Sequence, residues 1–242
     1  MLTAKPWRDE SVLQFCGAQL LCFCLALMTA SLLQKAGLAA FQPPDGYGVV
    51  LVSTLGFQGV TWVLILFFLR QHQVGWREAF GFRGPRLPRA LLMAVLFGIA
   101  IILVVSVLHL FSEEILARLG WPSEEQVAVM LLANTRQWWM RVYLGVFAIV
   151  LAPVAEEFIF RGMLYPFIKQ LGSPRFAFFG TSAIFALIHL DLGTLVPLFV
   201  LALALTWLYE KTDNLLAPIA AHALFNAANL VLLLLFSEPI KS

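Results

Sequence analysis

Apolar residues fill seven long blocks of this chain, separated by short polar connections. A helix needs about 20 predominantly apolar residues to cross the hydrocarbon core of a bilayer. On that rule the blocks predict spans over 11–33, 48–69, 90–112, 141–167, 174–190, 194–209 and 215–236. The fifth and sixth are the shortest, and the 191–193 connection between them predicts a tight helical hairpin. The first apolar run is too long for a signal-peptide core of ~7–15 residues and is preceded by Asp9 and Glu10, so it is read as a retained helix. Between the third and fourth spans, Ser123 and Gln126 form a capping-box start, with Glu124 and Glu125 suited to the positive end of a helix. The apolar surface that follows, over 122–134, is too short to cross and predicts an interfacial segment. The fold class is therefore all-α: a polytopic transmembrane helix bundle of seven spans, or eight if a short or re-entrant segment is added.

Composition agrees with this pattern. Hydrophobic residues make up 61% of the chain and charged residues 12%, with a mean hydropathy of +0.87. Soluble globular chains have roughly 45–50% apolar and about 25% charged residues. The 242 residues leave no room for a separate soluble domain, so residues 1–242 are expected to form a single integral membrane domain. A net charge of +2 gives no reason to expect a nucleic-acid partner; the lipid bilayer is the expected environment.

Basic residues set the expected orientation. The 70–89 connection holds Arg70, Arg77, Arg83, Arg86 and Arg89 against a single Glu78, and positive loops stay cytoplasmic. With that loop inside, ten basic residues fall on the cytoplasmic side and five on the other. The N-terminus is thus predicted inside and the C-terminus outside. Trp121, Trp138 and Trp139 suit an interfacial aromatic belt. Cys16, Cys22 and Cys24 all lie in the first apolar block, which is neither a disulfide framework nor a zinc site.

Against this apolar background a few ionisable residues stand out. Glu156, Glu157 and Arg161 lie inside the fourth block, where each charge costs ~2.5–3.5 kcal/mol at the bilayer centre on insertion scales. Glu157 and Arg161 are one helical turn apart in the favourable order for an ion pair. Glu156 is rotated by roughly 100° from Glu157 and has Phe160 as its i+4 neighbour, so the two carboxylates have different tasks. Gly162 would let a neighbouring helix approach closely, and Pro153 removes a backbone donor beside the pair. Phe185 and His189 share a face in the fifth block, as do His222 and Asn226 in the seventh. A carboxylate and a histidine holding one water can make it nucleophilic towards a peptide carbonyl. A second histidine and an asparagine amide can stabilise the resulting oxyanion. The span ends place His189 and His222 ~10 Å apart in depth, an offset that tilt or a deeper fifth helix would have to remove.

These blocks, Glu156-Glu157-Phe-Ile-Phe-Arg161, Phe185-Ala-Leu-Ile-His189 and His222-Ala-Leu-Phe-Asn226, resemble the signature of the CAAX-protease and bacteriocin-processing family of intramembrane glutamate endopeptidases. All three are present and in order, within residues 141–236. The resemblance implies that Glu156 is the catalytic base and that His189 helps to hold the water. It implies further that His222 and Asn226 stabilise the oxyanion while Glu157, Arg161 and Phe185 shape the site. It implies no cofactor, a peptide or protein substrate at the membrane, prenylated in some members, and for some bacterial members a part in bacteriocin immunity. A prokaryotic cytoplasmic membrane is the expected location.

Three other readings use the same residues. Two histidines and a carboxylate could ligate zinc, although no His-Glu-x-x-His occurs in the chain. A non-catalytic membrane binding or immunity protein would need the polar residues only as interhelical contacts. A small transporter could use intramembrane Glu, Arg and His for proton coupling, but the chain lacks the paired halves of repeat-built carriers. His72 and His109 are read as interfacial or solvated, Asp191 as a cap, and Asn214 and Asn229 as a helix start and a packing contact.

Overall fold

The computed structural model describes residues 2–42, 47–82, 87–121 and 137–236. The segment expected to lie on the interface, 122–134, falls outside the described residues. All regular structure among the described residues is helical. We number the helices α1 (Asp9–Lys35), α2 (Tyr47–His72), α3 (Trp76–Phe80), α4 (Leu87–Arg118), α5 (Trp138–Gln170), α6 (Pro174–Leu187), α7 (Leu192–Thr212) and α8 (Leu216–Phe236). Six of them are long and apolar enough to span a membrane, and α6 is a shorter apolar helix. The predicted bundle of about seven spans is what the chain forms.

Two helices outrun their apolar cores because local partners carry the polar ends. α4 continues to Arg118, where Arg118 Nε donates to Glu114 Oε1 at 2.8 Å across one turn. α7, expected to be short, has 21 residues and runs past Tyr209 to Thr212. Its Glu210 accepts from Tyr165 Oη at 2.6 Å and from Lys169 Nζ. At its other end Asp191 caps the helix, accepting from the Gly193 amide at 2.9 Å. α7 is also the central helix: 56% of its apolar window is inside the bundle, against 17–28% for the other spans. It packs on α4 and α6, and α8 packs on α4.

The fifth span is shorter than expected. Its 14 residues cover ~21 Å at 1.5 Å per residue, less than the ~30 Å hydrocarbon core. The helix stops at Leu187, the Leu190 backbone turns left-handed at φ 53°, and His189 lies just beyond the helix rather than within it.

Close approaches fix the packing. A Cβ on Gly56 of α2 would sit 2.1 Å from Ala26 Cβ of α1, and one on Gly98 of α4 would meet Leu224 of α8 at 3.1 Å. The short α3 is clamped beside α8, with Leu215 N donating to the Phe80 carbonyl at 2.9 Å. Gly81, at φ 73°, lets this happen, since a Cβ there would lie 1.9 Å from the Asp213 carbonyl oxygen. Gly81→Ala is expected to lower stability by about 3 kcal/mol, from overpacking and left-handed strain together. Thermal unfolding in detergent checks this, with Gly75→Ala, where a Cβ meets nothing within 4 Å, as the control.

Candidate active site

Two wide turns shape α5 around its charged residues. Residues 147–151 and 158–164 are π-helical, and the second begins directly after Glu157. In the first, the Ala152 amide bonds to the Phe147 carbonyl in the i→i+5 register, and Pro153 has no N–H to offer. The Ala148 carbonyl is therefore left without an intrahelical donor. Asn226 Nδ2 on α8 supplies one at 2.8 Å. A buried carbonyl must find a partner somewhere, and here that need fixes the asparagine, leaving its second amide hydrogen for other use.

Glu157 is fully buried and Arg161 is 1% exposed. Arg161 Nη1 donates to Glu157 Oε1 at 2.7 Å, Nη2 to the Ala202 carbonyl at 2.9 Å, and Nε to Thr206 Oγ1 at 3.3 Å. Its guanidinium carbon stands 4.9 Å over the Phe185 ring. The second partner of Glu157 Oε1 is His222 Nδ1, at 2.9 Å. With the carboxylate accepting from both sides, Nδ1 carries the proton and Nε2 is directed towards Glu156, whose Oε2 is 3.8 Å away. That gap is within ion-pair range and longer than a hydrogen bond. The Glu156 side chain keeps 17% of its surface exposed where Glu157 has none, so it is the more accessible of the two carboxylates.

His189 joins through Phe185. Its Nδ1 lies 2.7 Å from the Phe185 carbonyl oxygen, which can only accept, so Nδ1 donates and Nε2 of the neutral ring is an acceptor. The Phe185 ring lies 4.9 Å from the His189 ring and 5.8 Å from that of His222, bridging the separation that the span ends had suggested. The structure thus gathers Glu156, Glu157, Arg161, Phe185, His189, His222 and Asn226 at one place.

Some contributors were not anticipated. Thr206 and the Ala202 carbonyl of α7 hold the guanidinium; a lone hydroxyl in an apolar span was the available signal for Thr206. Trp7, whose Nε1 donates to the Gly162 carbonyl at 3.0 Å, had none. Gly162 admits the Phe80 ring of α3 rather than a spanning helix, with Phe80 Cε1 3.1 Å from where a Cβ would stand. Among the described residues, no three His, Cys, Asp or Glu side chains are grouped so as to hold a metal ion.

Comparison with known proteins falls on the same stretch. Residues 137–228 match the family model described as type II CAAX prenyl endopeptidase Rce1-like. Over 93 residues the chain is 28% identical to the "Putative membrane peptidase YdiL" of Bacillus subtilis (strain 168), covering 38% of this chain and 37% of that one. Over 78 residues it is 30% identical to the "UPF0177 protein YxdF" of Lactococcus lactis subsp. lactis (strain IL1403), covering 32% of this chain and 42% of that one. The match therefore spans less than half the length of these relatives. No solved structure matches at a comparable level. The segment that carries the site, residues 137–228, is thus similar to the Rce1-like type II CAAX prenyl endopeptidases.

Proposed function

We propose that this protein is an intramembrane endopeptidase, one integral membrane domain that hydrolyses a peptide bond of a membrane-associated substrate by a glutamate-activated water. The observation that carries this reading is the division of labour between the two carboxylates: Glu157 is buried and bonded to Arg161 and His222, while Glu156 is accessible beside His222 Nε2. Glu156 takes a proton from water as the oxygen attacks the carbonyl carbon. His189 Nε2 accepts the water's other hydrogen and orients it. The oxyanion that forms receives the free amide hydrogen of Asn226 and, when His222 is protonated, its Nε2–H. Glu156 then returns its proton to the leaving nitrogen as the C–N bond breaks, giving a carboxyl and an amine. Arg161 and Glu157 hold His222 at the required angle, and Phe185 spaces the two histidines.

The Rce1-like match supports peptide hydrolysis at a membrane, and a prenylated C-terminal peptide is one substrate class it suggests. We place the protein in a prokaryotic cytoplasmic membrane with residues 2–8 and the ends of α2, α5 and α7 that bear Arg70, Lys169 and Lys211 on the cytoplasmic side, following the charge asymmetry. No metal is required in this reading. In membranes exhaustively treated with chelator the wild type is expected to keep generating new peptide ends, while His189→Gln lowers their yield about 10²-fold or more. Loss on chelation with recovery on added zinc would transfer the same residues to a metallopeptidase mechanism.

A further inference from the structure

We propose that the N-terminal arm, residues 2–8, is part of the catalytic assembly and that Trp7 is a positioning residue for the glutamate pair. This rests on the peptidase reading for its function, though not for its geometry. The arm lies outside the family match and outside all three motifs. It is tied down at several points: Leu2 N donates to Glu210 Oε2 at 3.3 Å, Lys5 Nζ meets Asp213 Oδ1 at 3.4 Å, and Arg8 N donates to His72 Nε2 at 3.1 Å. Trp7 is 6% exposed, wedged edge-on against Phe68 at 4.9 Å and tilted against Phe80 at 6.2 Å.

The decisive contact is the one from Trp7 Nε1 to the Gly162 carbonyl. In an α-helix that carbonyl would accept from the amide four residues on, which is Pro166 and has no N–H. Gly162 sits inside the π-helical stretch 158–164, whose wide register is shown by the Tyr165 amide bonding to the Phe160 carbonyl. Positions four apart share one face of the helix. Glu157, Arg161 and Tyr165 consequently form one polar row along α5, facing Thr206 and Glu210 on α7. Trp7 pins the middle of this row by a carbonyl whose α-register donor would be Pro166. If the segment rewinds, Arg161 turns relative to Glu157, and His222, held by the same carboxylate oxygen, loses its orientation. The arm therefore reaches the imidazole through α5 without touching it.

The test reads His222 directly. The chain has four histidines, so imidazole-¹⁵N labelling gives four sets of NMR signals, and His222→Gln identifies the one of interest. Trp7→Phe keeps a ring and removes the N–H. Trp138→Phe, at a tryptophan 76% exposed, is the control. Pro166→Ala perturbs the same turn from the other side, by supplying an amide that closes on the Gly162 carbonyl in the α register or on the Arg161 carbonyl in the wider one, and serves if Trp7→Phe does not fold. Trp7→Phe or Pro166→Ala is expected to shift or split the His222 signal and to reduce new peptide ends at least about tenfold, since small misplacements near a reacting centre have effects of that size. A His222 signal identical to that of Trp138→Phe in both variants would overturn the proposal. If the signal moves but the wild type produces no new ends, the coupling stands and the peptidase reading falls.

Discussion

Arg161→Met is expected to lower stability by about 3–5 kcal/mol, the usual consequence of removing one partner from a buried ion pair. For a chain of this size that is a fall in Tm on the order of 10 °C. The effect is large because the guanidinium is 1% exposed and satisfies three groups, the Glu157 carboxylate, the Ala202 carbonyl and the Thr206 hydroxyl. Methionine fills part of the volume and none of the hydrogen bonds. Glu157, fully buried, is then left with His222 as its one hydrogen-bonding partner among the described residues. The double variant Glu157→Leu with Arg161→Met is expected to recover most of the lost stability, because it removes the stranded charge as well. It is expected to recover no activity, because His222 has lost the acceptor that orients it. Thermal unfolding in detergent distinguishes these outcomes; a Tm for Arg161→Met within a few degrees of the wild type would contradict a buried, tightly bonded pair.

Glu156→Gln is expected to behave in the opposite way, with stability kept and hydrolysis reduced by about 10²–10⁴-fold. The Glu156 side chain is partly exposed and stands 3.8 Å from His222 Nε2, a contact too long to be a hydrogen bond. Glutamine has the same shape and no basic oxygen, so the fold loses little and the proton acceptor is lost. A protein that only binds a partner would show no such split. The contrast between adjacent residues is the signature: substitution of Glu157 or its partner alone destabilises, whereas substitution of Glu156 silences.

Much of this was legible in the apolar pattern and in charges out of place. An ionisable residue within a span needs a partner, so Glu157 with Arg161 could be read from residue types and spacing alone, whereas the approach of His189 to His222 could not, since the span ends set them ~10 Å apart in depth. Helix ends were less legible. The ends of α4 and α7 are set by side-chain bonds at Arg118 and Glu210 that hydropathy does not register. α6 stops before His189 because the chain turns left-handed at Leu190, a non-glycine residue that gives no warning. Least legible were contacts that depend on a missing donor. Pro153 and Pro166 announce a disturbed helix, but which side chain fills the vacant place, Asn226 for Ala148 and Trp7 for Gly162, is decided by tertiary packing.

The most direct measurement is a map of peptide termini in membranes from cells expressing the wild type or Glu156→Gln at matched levels. Every cleaved protein in the membrane is registered, whatever the substrate. Hydrolysis by Glu156 predicts new termini in the wild type alone, with flanking residues that begin to define what is cut. Identical maps from two folded, equally abundant proteins, in cells that contain the native partner, would contradict catalysis and leave a membrane protein that binds without cleaving.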